Sequence, residues 1–153
     1  MVSGFLKSGK TSLIKRYIEK QKSSFRVIQC ERGIETIKEA VVAEDISHLV
    51  EIIQDSTEEK IYVEYNGTWN LSDFIGRIQS IENFRILNVY CMDLQVIYKY
   101  MKNFPNLIME QLNYVDEIVT INKKDENYKK IKKTIGQIKP WISYRDIEDA
   151  KLR

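Results

Sequence analysis

MVSGFLKSGKTS, residues 1–12, contains the pattern GxxxxGK[ST] from Gly4 to Thr11, with every required position filled. Glycines allow the backbone N–H groups of such a loop to curl around a phosphate, and the helix that follows directs its positive dipole end at the same anion. Lys10 would reach the terminal phosphates, and the Thr11 hydroxyl would complete the shell of a Mg²⁺ ion. The stretch therefore predicts a site for a nucleotide di- or triphosphate, with a glycine-containing turn as the alternative.

The same loop supplies most of the predicted nucleotide contacts. The residues assigned to the phosphates are Gly4, Lys7, Ser8, Gly9, Lys10, Thr11 and Ser12. Within this set, Gly9 and Lys10 are expected to cradle the phosphates and to neutralise their charge. Lys7 has two interpretations, either an additional charge that faces the phosphates or a solvated charge.

A second motif follows a β-branched, apolar stretch at residues 115–121, which is typical of a buried strand. Asn122-Lys123-Lys124-Asp125 has the form NKxD. The Asp125 carboxylate can accept from the ring N–H and the exocyclic amine of guanine, a pair of donors that adenine does not offer. The stem of Lys123 can lie along the base, and Asn122 can tie this loop to the phosphate loop. The motif predicts selection of GTP, with a solvated turn as the alternative.

Residues 60–69 form a third candidate segment, a strand signature that ends in an acidic residue. Glu64 and Gly67 give it the form ExxG. An acid at this strand end can support Mg²⁺ through water, and a glycine N–H can contact the third phosphate because no side chain blocks its approach. Lys10, Glu64 and Gly67 are therefore the predicted catalytic residues. A strand followed by an Asn-Gly turn is the alternative interpretation.

Strand-like and helix-like segments alternate along the chain. Strands are predicted at 25–30, 60–65, 84–91, 117–122 and 141–142, and helices at 11–21, 44–54, 71–80, 94–103, 107–114 and 126–137. This alternation implies right-handed βαβ crossovers and a mainly parallel sheet, with ligands at the carboxyl ends of its strands. All three motifs lie at such ends. The predicted fold class is α/β with three layers, and the first strand is truncated because only residues 1–3 precede the phosphate loop.

Composition indicates a compact cytoplasmic protein. A chain of 153 residues can bury one core, so a single domain over 1–153 is expected. The formal net charge of +2 gives no global reason to expect nucleic acid or an anionic membrane as partner. No apolar run approaches the roughly 20 residues that cross a bilayer, and the amino terminus does not have the pattern of a signal peptide. Membrane insertion is therefore not expected.

Several conspicuous side chains have ordinary structural interpretations. Cys30 and Cys91 each lie at the end of a strand-like run, and buried thiols are favoured over a metal or redox pair. The lysines within 129–133 are interpreted as the solvated face of a helix, with a nucleic-acid stripe as the disfavoured alternative. Trp69 either covers the nucleotide or a partner surface, or packs beneath the following helix. The sequence leaves both interpretations of Trp69 open.

Taken together, the motifs resemble the CobW/HypB/UreG family of P-loop GTPases, and most closely its CobW-type members. The matching pieces are residues 4–12, 27–33, 61–67 and 118–125, with looser similarity at 111–116 and 138–140. The resemblance implies a P-loop NTPase-like fold with GTP and Mg²⁺ as ligands. It also implies that Thr11, Glu64 and Glu31 hold the metal.

The chain departs from the family pattern in ways that bear on metal delivery. The CxCC segment of the family is absent, and the interval between Gly33 and Lys60 is too short to contain it. No C-terminal CobW domain is expected after Pro140. Lys7 stands where the family has a glycine, and Arg32 stands where it has an aromatic residue. Arg32 could contact phosphate charge or pair with a nearby acid.

The expected function is Mg²⁺-dependent GTP binding with weak hydrolysis, linked to metal trafficking or metallocofactor assembly. Hydrolysis should be slow because no water-positioning glutamine or histidine is evident, so a protein partner is expected to supply what is missing. The alternative is a degenerate or truncated GTPase fold that acts as a partner-binding module. An ATP-dependent kinase is disfavoured because it would leave the NKxD motif without a role.

Overall fold

The computed structural model describes residues 1–31, 35–81, 84–122 and 127–147. Within these ranges the chain forms seven strands and six helices. The strands are β1 (Val2–Ser3), β2 (Phe25–Gln29), β3 (Val41–Val42), β4 (Lys60–Glu64), β5 (Val89–Asp93), β6 (Glu117–Ile121) and β7 (Ser143–Asp146). The helices are α1 (Lys10–Ile18), α2 (Ile46–Gln54), α3 (Leu71–Ile78), α4 (Leu94–Asn103), α5 (Pro105–Asn113) and α6 (Tyr128–Ile138). None of these helices combines the length and apolar character needed to span a membrane.

The described strands form one sheet in the order β3-β2-β4-β1-β5-β6-β7, and every pairing between them is parallel. Parallel neighbours require crossover connections. At least one helix lies between every two consecutive strands except β2 and β3, between which no helix is described. The two-residue β1 lies between β4 and β5, with Val2 opposite Glu64 and Val89. The predicted α/β fold, its parallel sheet and its short first strand are confirmed.

Helices cover both faces of the sheet. On one face Leu13, Ile14 and Tyr17 of α1 pack in a cluster with residues of β1, β2, β4, β5 and β6. One position further along β2 and β4, Ile28 and Val63 pack instead with α2 and α3. The side of β5 and β6 that does not contact α1 packs with α4, α5 and α6. Because side chains alternate across a strand, this distribution produces three layers, helix, sheet and helix.

The last strand was predicted in the wrong place. The sequence predicted a strand at Trp141 and Ile142, whereas β7 comprises Ser143–Asp146. Trp141 is 79% exposed. The polar sequence of β7 carries no apolar alternation, and this edge strand is held by backbone pairing to β6 and by an ion pair between Arg145 and Glu117.

Two further strand predictions need correction. The strand predicted from residue 84 begins only at Val89, and Phe84 and Leu87 before it are about half-exposed. The short edge strand β3 was not predicted, because Val41 and Val42 are an exposed pair without a periodic pattern around them. In both cases local apolar character is a poor guide to which residues pair with a neighbouring strand.

Candidate functional site

The phosphate-loop sequence forms a tight connection between β1 and α1. Gly4 has φ 131° and Gly9 has φ 86°, both in the region that favours glycine. A Cβ on Gly4 would lie 2.4 Å from the carbonyl oxygen of Cys91, and a Cβ on Gly9 would lie 2.2 Å from Cδ1 of Ile121. The loop therefore packs directly against the carboxyl ends of β5 and β6. A side chain at Gly4 would meet backbone, whereas one at Gly9 would meet only the end of the Ile121 side chain, and the positive φ strains other residues at both positions.

Lys7 adopts the left-handed conformation at φ 63°, and its side chain is exposed. This conformation costs an ordinary residue about 1–2 kcal/mol, whereas glycine adopts it freely but loses about 0.5–1 kcal/mol of backbone entropy on folding. We expect Lys7→Gly to raise the free energy of unfolding by about 0.5–1 kcal/mol in urea titrations. Lys133→Gly, on the exposed face of α6, should lower it by about 1 kcal/mol. A Lys7→Gly protein less stable than the wild type would contradict the left-handed assignment.

The Lys10 side chain is buried inside the loop. Its Nζ donates to the carbonyl oxygens of Gly4 at 2.9 Å and Phe5 at 3.0 Å. It also lies 3.2 Å from Oε2 of Glu31. The ammonium group is thus held at the centre of the loop by backbone dipoles and one carboxylate. Nearby, the buried hydroxyl of Ser8 has no hydrogen-bond partner among the described residues, so it is a donor available to a ligand.

Thr11 and Glu64 form the second part of the site. The Thr11 hydroxyl donates to Oε1 of Glu64 at 2.6 Å. Gln29, directly opposite Glu64 in the register of β2 and β4, donates from Nε2 to Oε2 at 2.7 Å. The carbonyl oxygen of the same amide accepts from the backbone N–H of Ile37 at 3.0 Å. These bonds fix a buried carboxylate beside the threonine hydroxyl at the end of β4.

Gly67 is pressed against the phosphate loop. A Cβ on it would lie 2.4 Å from the carbonyl oxygen of Gly4 and 3.0 Å from Cα of Phe5. Its N–H donates to Oε1 of Glu31 at 2.9 Å, and its carbonyl oxygen accepts from Nε2 of Gln111 at 2.6 Å. The fully buried Gln111 side chain thus holds Gly67 by the peptide that follows it, while the N–H of the preceding peptide is bonded to the same carboxylate that contacts Lys10.

The predicted base-recognition segment is only partly described. Asn122 directly follows β6 and has φ 61°, and its Nδ2 donates to Oδ1 of Asp93 at 2.9 Å. The sequence assigned this amide to the phosphate loop, whereas the structure shows it bound to the neighbouring strand end. Asp93 also caps α4, because the same oxygen accepts from the N–H of Gln95 at 2.9 Å. Lys123 and Asp125 lie outside the described residues, as does Arg32.

The donor set fits a magnesium ion bound together with phosphates. Mg²⁺ prefers oxygen ligands and is usually held by one or two carboxylates, substrate phosphates and water rather than by a full protein cage. Thr11 and Glu64 supply such a hydroxyl and carboxylate side by side. No cluster of three or more His, Cys, Asp or Glu side chains suited to a metal occurs among the residues described. Glu31, the third predicted metal-holding residue, contacts Lys10 and Gly67.

Cys30 and Cys91 are both free and buried. Burial raises the pKa of each thiol to about 12, so both remain protonated at neutral pH. Cys91 donates from Sγ to the carbonyl oxygen of Ser8 at 2.8 Å. These features favour the structural interpretation of the thiols. Trp69 similarly packs edge-on against the ring of Tyr65 at 5.9 Å between centroids, which favours packing over a role at the surface.

Sequence reasoning missed three side chains that position the site, Gln29, Asp93 and Gln111. Each had a weak local signal. Gln29 is a polar residue that ends an apolar strand, and Asp93 stands at the N-cap position before a helix. Gln111 shares the buried face of α5 with Ile108 and Leu112. A polar residue on an apolar face usually has a hydrogen-bonding role, but only the tertiary structure identifies its partner.

Comparison with solved structures identifies the fold. Zn(II)-bound YjiA GTPase from E. coli matches with a TM-score of 0.72 at 15% sequence identity, and a Zn(II)-bound triple mutant of YjiA GTPase matches with 0.73 at 16%. Each match covers 99% of this chain and 57% of the solved chain, so the chain spans little more than half the length of these structures. No family model and no curated protein matches the sequence. The predicted resemblance to P-loop GTPases is confirmed in the fold, which is that of YjiA GTPase.

Proposed function

We propose that this protein binds GTP together with Mg²⁺ and hydrolyses it slowly. The observation that carries the proposal is the meeting of Lys10, the Thr11–Glu64 pair and the Gly67 N–H at one end of the sheet. These groups come from two segments about fifty residues apart in sequence, and both segments follow parallel strands that are direct neighbours, β1 and β4. Ligands of open parallel sheets bind outside the carboxyl ends of the strands, as this arrangement requires.

Each residue has a role that follows from its position. The loop N–H groups and Lys10 bind the phosphates, and Thr11 with Glu64 holds the metal. Gly67 donates its N–H to the terminal phosphate. The ion, when bound, neutralises charge that develops on the phosphates. Gln111 and the contact with the Gly4 carbonyl hold Gly67 in place.

Slow hydrolysis follows from what the glutamines near the site already do. Gln29 is bonded to Glu64 and Gln111 to Gly67, so both act as positioning residues. A GTPase without a residue that orients the attacking water depends on a partner to supply one. We therefore include an unidentified protein partner in the proposal.

Guanine selection is the part of the proposal that rests on the sequence. In sequence, Asn122, Lys123 and Asp125 follow β6. Because β6, β5 and β1 are parallel neighbours, the carboxyl end of β6 lies at the same edge of the sheet as the phosphate loop that follows β1. Asp125 would accept from two guanine donors. The base would then lie next to the Asn122–Asp93 contact.

The test is titration of the protein with a fluorescent GTP analogue, with and without Mg²⁺, followed by competition with unlabelled nucleotides. We expect saturable binding that requires Mg²⁺ and that GTP displaces much better than ATP. Asp125→Asn should weaken binding of guanine nucleotides and favour xanthine nucleotides, because xanthine has a carbonyl in place of the guanine amine. Asp55→Asn is the matched control, because Asp55 is the exposed C-cap residue of α2. It should change neither the affinity for guanine nucleotides nor the affinity for xanthine nucleotides. Unchanged GTP affinity in Asp125→Asn would contradict the assignment of the base site.

A second candidate function is a partner-binding module that has little nucleotide turnover. One observation favours it: Lys10 is already paired with Glu31. The same titration distinguishes the candidates, because this alternative predicts no saturable binding of the GTP analogue.

The link to metal trafficking or metallocofactor assembly is a further part of the proposal. It is supported by the resemblance to CobW-type GTPases and by the similarity to YjiA structures that contain Zn(II). A cytoplasmic location belongs to the same proposal. Its support is that Cys30 and Cys91 are buried and are not joined in a disulfide, which suits a reducing compartment.

A further inference from the structure

The Glu31 carboxylate lies between the two donors that the proposed function assigns to the terminal phosphate. Its Oε1 accepts from the Gly67 N–H at 2.9 Å, and its Oε2 lies 3.2 Å from Nζ of Lys10. One donor is the ammonium group of Lys10, the first residue of α1, and the other is the backbone amide of Gly67 in the turn after β4. A carboxylate that accepts from both offers them a negative charge spread over two oxygens, much as a phosphate would.

This ion pair differs from an ordinary surface pair. The side chain of Lys10 is 2% exposed and that of Glu31 is 12% exposed. For comparison, Lys15 and Glu35 form a pair at 2.9 Å with exposures of 40% and 56%. Exposed pairs contribute little because water and salt screen them, whereas a pair shielded from water interacts strongly. Lys10 therefore has a strong internal partner.

Gly67 is also fixed in position. Gln111 binds its carbonyl oxygen at 2.6 Å, and the Gly4 backbone is so close that a Cβ on Gly67 would lie 2.4 Å from its carbonyl oxygen. An N–H held in this way can donate to Glu31 or to a phosphate oxygen, but an incoming terminal phosphate must first displace the carboxylate.

We propose that Glu31 is a specificity-determining residue that lowers the affinity for guanosine triphosphate relative to diphosphate by occupying the donors of the terminal phosphate. The inference rests on the proposed function. A triphosphate must displace the carboxylate from both Lys10 and Gly67, whereas a diphosphate leaves the Gly67 N–H with Glu31. If Glu31 occupies these donors about nine-tenths of the time, the apparent affinity for GTP is reduced about tenfold.

The test compares the dissociation constants of Mg-GTP and Mg-GDP for the wild type and Glu31→Gln, using displacement of a fluorescent nucleotide. The neutral amide is a poor partner for the ammonium group, so we expect GTP affinity to rise about tenfold and GDP affinity to rise by a smaller factor. Glu35→Gln removes the exposed partner of Lys15 by the same chemical change and should alter neither constant. Glu31→Asp keeps the charge on a side chain one methylene shorter, so it should give a smaller gain in the same direction, and it serves if the glutamine variant does not fold.

The outcomes separate this inference from the proposed function. Equal gains for GTP and GDP, or no gain for GTP in either Glu31 variant, would overturn the inference while leaving nucleotide binding intact. Weaker Mg-GTP binding in both variants would also overturn it and would support the predicted role of Glu31 as a metal ligand. If neither the wild type nor any variant binds a nucleotide, the proposed function and this inference are both wrong.

Discussion

Gly67→Ala is expected to abolish most nucleotide binding and to lower the free energy of unfolding by about 1–3 kcal/mol, the usual range for forced overpacking. The new Cβ would lie 2.4 Å from the Gly4 carbonyl oxygen. Both clashing partners, Gly4 and Phe5, contribute backbone atoms, so no flexible side chain can move aside. The clash must shift either the phosphate loop or the Gly67 N–H. Loss of one hydrogen bond to a charged group corresponds to roughly 1.5–3 kcal/mol, so binding of Mg-GTP should weaken at least about tenfold.

Gly76→Ala is the matched control for this prediction. Gly76 lies within α3, and a Cβ there would meet nothing within 4 Å. Alanine is the better helix former by about 0.5–1 kcal/mol, so this variant should be slightly more stable and should bind nucleotide normally. Urea unfolding and nucleotide titration measure both effects. Normal binding and stability in Gly67→Ala would show that the close approach to the phosphate loop is not real.

Lys10→Ala is the second variant with a large expected effect. It removes the only ammonium group that the structure, in its described part, places inside the phosphate loop. A charge-assisted contact to two phosphates is worth more than one hydrogen bond, so affinity for Mg-GTP should fall about a hundredfold. The variant also leaves Glu31 without its ammonium partner, which should lower stability.

Lys15→Ala is the control for Lys10→Ala because it removes a lysine from the same helix. The Lys15 side chain is 40% exposed, and its pair with Glu35 is solvated. We expect its GTP affinity to remain within a factor of about two of the wild type, since exposed pairs contribute little. Circular dichroism of both variants establishes that they are folded before binding is compared. Equal affinities of the two variants would contradict the assignment of Lys10.

The sequence could predict the conformation of contiguous motifs, namely the phosphate loop and the segment from Glu64 to Gly67. The phosphate loop is a contiguous pattern whose glycines have a backbone requirement, and the structure gives Gly4 and Gly9 positive φ values. Glu64 ends β4 and Gly67 lies three residues beyond it, as the strand signature of residues 60–69 predicted. The alternation of elements then led to the parallel sheet.

The remainder depends on contacts between distant segments. Gln29 contacts Glu64 across 35 residues, and Gln111 contacts Gly67 across 44. No local pattern specifies such a partner. The last strand was misplaced at residues 141–142 for the same cause, because pairing with β6 rather than apolar character decides which residues form β7. The contact between Glu31 and Lys10 likewise depends on the folded chain, although the sequence had singled out both residues.

The most direct test of the central claim is hydrogen–deuterium exchange of the protein with and without saturating Mg-GTP. Bound nucleotide should slow exchange in peptides that contain residues 4–13 and 64–67, since the backbone N–H groups of both segments would donate to phosphate oxygens. Peptides from α6, whose lysines are exposed, should exchange unchanged. Protection confined to other parts of the chain, or no protection at all under saturating nucleotide, would contradict the account.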